Sequence, residues 1–280
     1  MEWSRIELEG TYAAHATTGP GRPDAVFLHG WGIGPHAYAT ALVELAGAGC
    51  TLAAPGQPGF GGTPPLAGRD CSFAGYARWT AGYLDALGVR DPVVVVGHSF
   101  GGGVALQLAH DYPDRVSGLV LCNAVGGGLD PGAPGQQAAD RPWWRWGRHL
   151  GSDLLALPHA ARVLPAVLGE AVPNLVHHPV AMWRVAGFVR HADLRAQASV
   201  VRARRLPMSV VGSDRDGVVP SNSFSALCRA AGVRGVVVPG NHSWLIARPH
   251  QFADVVWRAL VEVGIVERAL VSRLPADAAA

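Results

Sequence analysis

Ser99 stands in the stretch Gly97-His98-Ser99-Phe100-Gly101, directly after the run Val93-Val94-Val95-Val96 and shortly before Val104-Ala105-Leu106-Gln107-Leu108-Ala109. A serine hydroxyl is a weak nucleophile at neutral pH and needs a base within hydrogen-bond reach. Histidine suits that task because its ordinary pKa lies near the working pH. Of the 12 histidines, His242 is singled out by following the apolar run Val236-Val237-Val238 and the turn Pro239-Gly240-Asn241. The base in turn needs a carboxylate to fix its tautomer and stabilise the imidazolium. Asp214 and Asp216 compete for that place in Gly212-Ser213-Asp214-Arg215-Asp216-Gly217-Val218-Val219-Pro220. Asp216 is favoured because Pro220, four residues on, introduces the next helix, whereas Asp214 reads as a turn-forming or ion-pairing residue. His177 and His178 lack a strand-end placement, and His98 is expected to point away from the serine.

Attack on a carbonyl creates an oxyanion, which requires preorganised donors. Phe100, the residue after the nucleophile, is expected to supply one backbone N–H. Trp31, in His29-Gly30-Trp31-Gly32 after the run Ala25-Val26-Phe27-Leu28, is expected to supply the second. The bare Gly-x-Ser-x-Gly pattern says little in a chain with 36 glycines among 280 residues, where roughly 0.2 chance matches are expected. Its setting is what informs.

Four valines in succession are β-branched, too short for a helix and apolar on both sides, which marks a strand buried inside a parallel sheet. A sharp turn carrying the serine and then a helix follow it. Other strands are expected at 25–28, 51–54, 119–122, 208–211 and 236–238, with helices near 35–47, 72–88, 222–231 and 250–268. Two alternating stretches in residues 3–17 suggest a leading antiparallel pair. The fold class is therefore α/β, with a mostly parallel central sheet flanked by helices. Ligands of such sheets bind at the carboxyl ends of the strands, and the residues named above all fall at such ends.

The alternation breaks between residues 125 and 205, where helical segments follow a glycine- and proline-rich loop. This gives a core of residues 1–124 and 206–280 with a helical cap inserted at 125–205. The insertion carries Trp143, Trp144, Trp146 and Trp183. With His29 and Trp244 they are the candidate pocket residues, in a pocket expected to be apolar. The cap is also a plausible dimer surface.

Composition narrows the classes. Apolar residues make up 49% and charged residues 16%, with a net charge of +2, which suits a folded domain and argues against a nucleic-acid partner. The basic charge is all arginine. No run approaches 18 apolar residues, so no membrane span is expected. The start MEWSRIELEG does not look like a secretory signal, which makes a cytoplasmic location the expectation. Cys50, Cys71, Cys122 and Cys228 lack metal-binding spacing, so neither a metal nor another cofactor is expected.

Taken together, His29-Gly30-Trp31-Gly32, Pro58-Gly59-Phe60-Gly61, Gly97-His98-Ser99-Phe100-Gly101, Asp216 with Pro220, and Gly240-Asn241-His242-Ser243-Trp244 resemble the α/β-hydrolase superfamily. The order Ser99, Asp216, His242 matches as well. The resemblance implies a serine hydrolase acting on an ester, thioester or lactone of a largely apolar small molecule. Gly56 departs from it, because members often carry an aspartate there. A serine at 99 argues against the epoxide-hydrolase and haloalkane-dehalogenase branches, which resemble this layout with an aspartate. A lyase, acyl transfer or cyclisation on the same triad, a carbon–carbon bond hydrolase, and a ligand receptor with a slow triad remain the alternatives.

Overall fold

The structure is a computed structural model that describes residues 1–128 and 160–264. Val93 to Val96 lie in β5 (Val93–His98), and all six residues of that strand are buried. Val93 and Val95 face one core, while Val94 and Val96 face another on the opposite side. Burial on both faces is why the run is apolar without alternation. Each valine so buried contributes about 1.5–3 kcal/mol.

The elements follow the expected alternation. An antiparallel pair, β1 (Glu2–Leu8) and β2 (Thr11–Thr17), comes first. Then come β3 (Ala25–Leu28), a 3-10 turn at Pro35–Tyr38, α1 (Ala39–Gly47), β4 (Leu52–Pro55) and α2 (Phe73–Ala86). Ser72 starts α2 by accepting a hydrogen bond from the Gly75 N–H at 3.2 Å, a cap worth about 1 kcal/mol. After β5 come α3 (Phe100–Asp111) and β6 (Val116–Cys122). Three helices follow among the described residues, α4 (Ala160–His177), α5 (Pro179–Val189) and α6 (Arg195–Ala203). The chain then forms β7 (Met208–Ser213), α7 (Ser221–Ala231), β8 (Val236–Val238), the one-turn α8 (Trp244–Ala247) and α9 (Pro249–Glu262).

The eight strands form one sheet in the order β1-β2-β4-β3-β5-β6-β7-β8. Pairing is antiparallel at β1–β2 and β2–β4 and parallel from β4 onward. Side chains from α1 and α9, including Leu42, Leu45, Phe252 and Val256, fill one face. Side chains from α2 and α3, including Tyr76, Leu84, Val104 and Leu108, fill the other. β6 starts at Val116 rather than 119 because β5 draws Val116 and Gly118 into its ladder. α9 ends at Glu262 rather than 268. No helix among the described residues is long and apolar enough to cross a membrane.

Candidate active site

Ser99 occupies the sharp bend between β5 and α3 with φ 54° and ψ −116°, a region that costs a residue with a side chain on the order of 1–3 kcal/mol. Besides the first-turn bonds of α3, two backbone hydrogen bonds tie it to the end of β6 and the residues after it. Its N–H donates to the Cys122 carbonyl at 3.0 Å, and its carbonyl accepts from the Val125 N–H at 3.1 Å. The bend closes only because β5 and α3 touch backbone to backbone: a Cβ on Gly97 would lie 2.5 Å from the Gly101 carbonyl oxygen. The Phe100 ring is fully enclosed and packs edge-on against Tyr76 at 4.9 Å. Its N–H is the first of α3, a position without an intrahelical acceptor.

His242 reaches Ser99 from the end of β8, with Nε2 2.9 Å from Oγ. Nδ1 lies 3.0 and 2.9 Å from the two oxygens of Asp216. A carboxylate can only accept, so Nδ1 carries the proton and Nε2 accepts from the serine hydroxyl. Asp216 Oδ1 also accepts from the N–H groups of Val218 and Val219, both at 2.8 Å. Burial pushes the Asp216 carboxyl up, but His242, Asn123 and the Val219 N–H together hold it below its ordinary value. The three side chains are nearly sealed from solvent, with Ser99 7% and His242 6% exposed. Asp214 serves the turn instead. It accepts from the Gly240 N–H at 2.8 Å and lies 3.5 Å from Arg215.

Asn123 escaped the sequence reading. It follows β6 with φ 45°, and its amide donates to Ser213 Oγ at 2.7 Å and to Asp216 Oδ2 at 2.5 Å. Its carbonyl oxygen accepts from the Trp244 indole N–H at 2.7 Å. The available signal was a lone amide directly after the apolar run Leu119–Cys122, on the same rim as the serine.

The loop after β3 brings Gly30 and Trp31 to the same cavity as Ser99. The Trp31 indole donates to the Met182 carbonyl of α5 at 3.0 Å. His98 is also among the residues lining that cavity, and its ring centroid lies 4.9 Å from that of His242. Asn174 of α4 fastens this rim further, donating to the Gly32 carbonyl at 3.1 Å and accepting from the Gly61 N–H at 3.2 Å.

Gly56 has a local reason. A Cβ there would lie 2.7 Å from the Gly61 carbonyl and 2.8 Å from that of Phe60. The 56–63 loop is braced by other means. Thr63 Oγ1 accepts from the Ala14 N–H at 3.1 Å, and Tyr76 donates to the Pro58 carbonyl at 2.7 Å.

The cavity holds about 80 Å³. Its walls are chiefly Ile33, Val125, Val167, Val189, Val218 and Ile246, with Trp31 beside them. None of the described lining residues is Asp, Glu or Arg. The expected apolar character is there, but aliphatic side chains supply it. Trp244 is fully enclosed, because its indole N–H is bound to Asn123 and its ring packs on Phe252. His29 is equally enclosed, held by the Gly30 carbonyl and the Gln57 N–H, both at 2.8 Å. Trp183 lies on the outer side of α5 and is 57% exposed, because Met182, Val185 and Val189 take the inward positions. Trp143, Trp144 and Trp146 lie outside the described residues. No group of three or more His, Cys, Asp or Glu among the described residues could hold a metal ion.

Comparison with known proteins agrees with this architecture. Residues 26–160 match the family model described as the alpha/beta hydrolase fold. The chain is 42% identical over 100 residues to a pimeloyl-[acyl-carrier protein] methyl ester esterase of Aromatoleum aromaticum, a match spanning 36% of each chain. It thus spans about a third of that relative's length. It is 34% identical over 193 residues to a 2-hydroxy-6-oxo-2,4-heptadienoate hydrolase of Pseudomonas putida, covering 63% of this chain and 68% of that one. The solved esterase RhEst1 of Rhodococcus sp. ECU1013 superimposes with a TM-score of 0.71 at 22% identity, covering 94% of this chain and 100% of the other, a likeness of fold. The chain belongs to the α/β-hydrolase superfamily.

Proposed function

We propose that the protein is a cofactor-independent serine hydrolase that cleaves an ester, thioester or lactone of a small, largely apolar molecule. One observation carries the reading: a continuous run of hydrogen bonds from Asp216 through His242 to Ser99, at 2.9–3.0 Å throughout. His242 takes the serine proton as Oγ attacks the substrate carbonyl, and Asp216 stabilises the imidazolium. The N–H groups of Phe100 and Trp31 receive the oxyanion. His242 then gives its proton to the departing oxygen or sulfur, leaving acyl-Ser99. Water deprotonated by His242 attacks that ester and releases the acid, restoring the serine. Residues 125–205 form the cap, with Val125, Val167 and Val189 as its share of the substrate pocket among the described residues.

The wall composition favours an uncharged acyl group over an acid anion. A heptadienoate such as that in the relative's name carries a carboxylate, and no cationic side chain among the described lining residues would receive it. The size of the cavity sets a scale. A 150 Å³ cavity holds benzene, so one of about 80 Å³ holds on the order of three or four carbon atoms. A fluorophosphonate probe tests the reading. It should label the wild-type protein and spare Ser99→Ala; folded wild-type protein that takes no label overturns the proposal.

A further inference from the structure

Tyr38 and His98 are fully or almost fully buried, at 0% and 3% exposure, beside the triad but outside it. The Gly30 N–H donates to Tyr38 Oη at 3.1 Å. Tyr38 Oη lies 2.7 Å from His98 Nδ1, and His98 Nε2 lies 3.2 Å from the carbonyl oxygen of His242. The proton positions follow from the two ends. A carbonyl can only accept, so His98 carries its proton on Nε2 and Nδ1 is an acceptor. Tyr38 therefore gives its hydroxyl proton to His98 and uses its oxygen to receive the Gly30 N–H. The fit is close: a Cβ on Gly30 would lie 3.1 Å from both Nδ1 and Oη. Burial first, and then the neighbouring His242, push His98 down to about 3. Its ring thus stays neutral while His242 gains and loses charge.

The run of bonds joins three separate pieces of backbone. Gly30 precedes Trp31 on the oxyanion side, His98 precedes Ser99, and the His242 carbonyl belongs to the base itself. We infer that Tyr38 and His98 are positioning residues that hold the oxyanion loop and the catalytic base in register across the nucleophile. The inference rests on the serine-hydrolase reading above, in which the Trp31 N–H and His242 must meet the substrate at the same moment. Removing a link loosens the arrangement around the transition state, and Tyr38→Phe does so while keeping the ring and the aliphatic walls of the cavity.

Three variants and one spectrum test this. In Tyr38→Phe, kcat for a p-nitrophenyl ester should fall by about tenfold or more, with KM within about twofold of wild type. Affinity for a trifluoromethyl ketone, which mimics the tetrahedral oxyanion, should fall in step with kcat. His98→Gln can place an amide N–H near the position of Nε2 and should keep more activity than His98→Asn, which cannot reach the His242 carbonyl. Folded Tyr38→Phe with wild-type kcat overturns the inference, as does equal activity in the two His98 variants. Nitrogen-15 spectra of the histidine rings in wild-type protein should show His98 as the Nε2–H tautomer; an Nδ1–H ring overturns it independently of any activity. Wild-type protein without ester turnover would remove the hydrolase reading, while the spectrum would still decide whether the bonded run exists.

Discussion

Asn123 donates to Asp216 at 2.5 Å, so the amide at the end of β6 braces the carboxylate presented after β7. The same side chain also receives the Trp244 indole proton and thereby locates the helix that follows His242. Asn123→Leu keeps the branched outline, at a larger volume, and removes every side-chain polar contact. It should lower kcat by about tenfold or more, and stability by about 1–3 kcal/mol, since the Trp244 N–H loses its buried acceptor. Urea unfolding and ester kinetics check both. A variant with wild-type midpoint and kcat would show that Asn123 merely occupies space.

The backbone at Ser99 predicts a divergence between two inactive variants. Alanine and glycine both remove the hydroxyl proposed as nucleophile and should cut turnover by roughly 10⁴-fold or more. Only glycine relieves the positive φ of 54°. Ser99→Gly should therefore be more stable than Ser99→Ala by about 1 kcal/mol. Equal melting temperatures would mean that the bend stores no strain.

Acyl preference should follow the cavity rather than the tryptophans. Across p-nitrophenyl esters, kcat/KM is expected to peak at propionate or butyrate and to decline toward octanoate. Val189→Ala, which opens the wall contributed by α5, should move the peak to longer chains. A wild-type optimum at acetate, or at octanoate and beyond, contradicts the estimate of size.

Glu170 supplies a pH dependence. Burial pushes its carboxyl up to about 6, and burial also lowers His36, which lies 2.9 Å away. The short contact is thus a hydrogen bond between groups that each resist charge, more than an ion pair. A carboxyl whose folded pKa exceeds its unfolded one stabilises the fold fully below the unfolded value, and that contribution is lost as pH rises through about 6. Glu170→Gln has no proton to lose. Its stability relative to wild type should improve by about 1 kcal/mol between pH 4.5 and 7.5, which thermal melts would reveal. A difference that does not change with pH would refute the assignment.

Much of the fold was legible because its strands are short apolar runs closed by glycine turns, as at Val93–Gly97 and Val236–Gly240. The proximity of Ser99, Asp216 and His242 followed from that same feature, since each comes after a strand on one rim of the sheet. Asn123 and Tyr38 were not legible. One is a single amide and the other lies in a 3-10 turn, and their partners are 93 and 60 residues away. The outward place of Trp183 was not legible for a related reason. Four tryptophans draw the eye in 125–205, but helix phase decides orientation, and α5 turns Val189 inward and Trp183 outward.

The two hydrogen bonds that fasten Ser99 to Cys122 and Val125 divide the molecule mechanically. Ser99, the proposed nucleophile, is clamped to the seam between β5 and β6, among the least deformable parts of the molecule. Val167 and Val189 ride on helices tied instead to the loop after β3, through Asn174 to the Gly32 carbonyl and through the Met182 carbonyl to the Trp31 indole. Changing Val167 or Val189 while keeping Asn174 and Met182 can therefore alter the cavity wall and leave both the Ser99 clamp and the Trp31 loop in place. For an engineer, Val167 and Val189 are the replaceable tool head and the end of β5 is the fixed spindle.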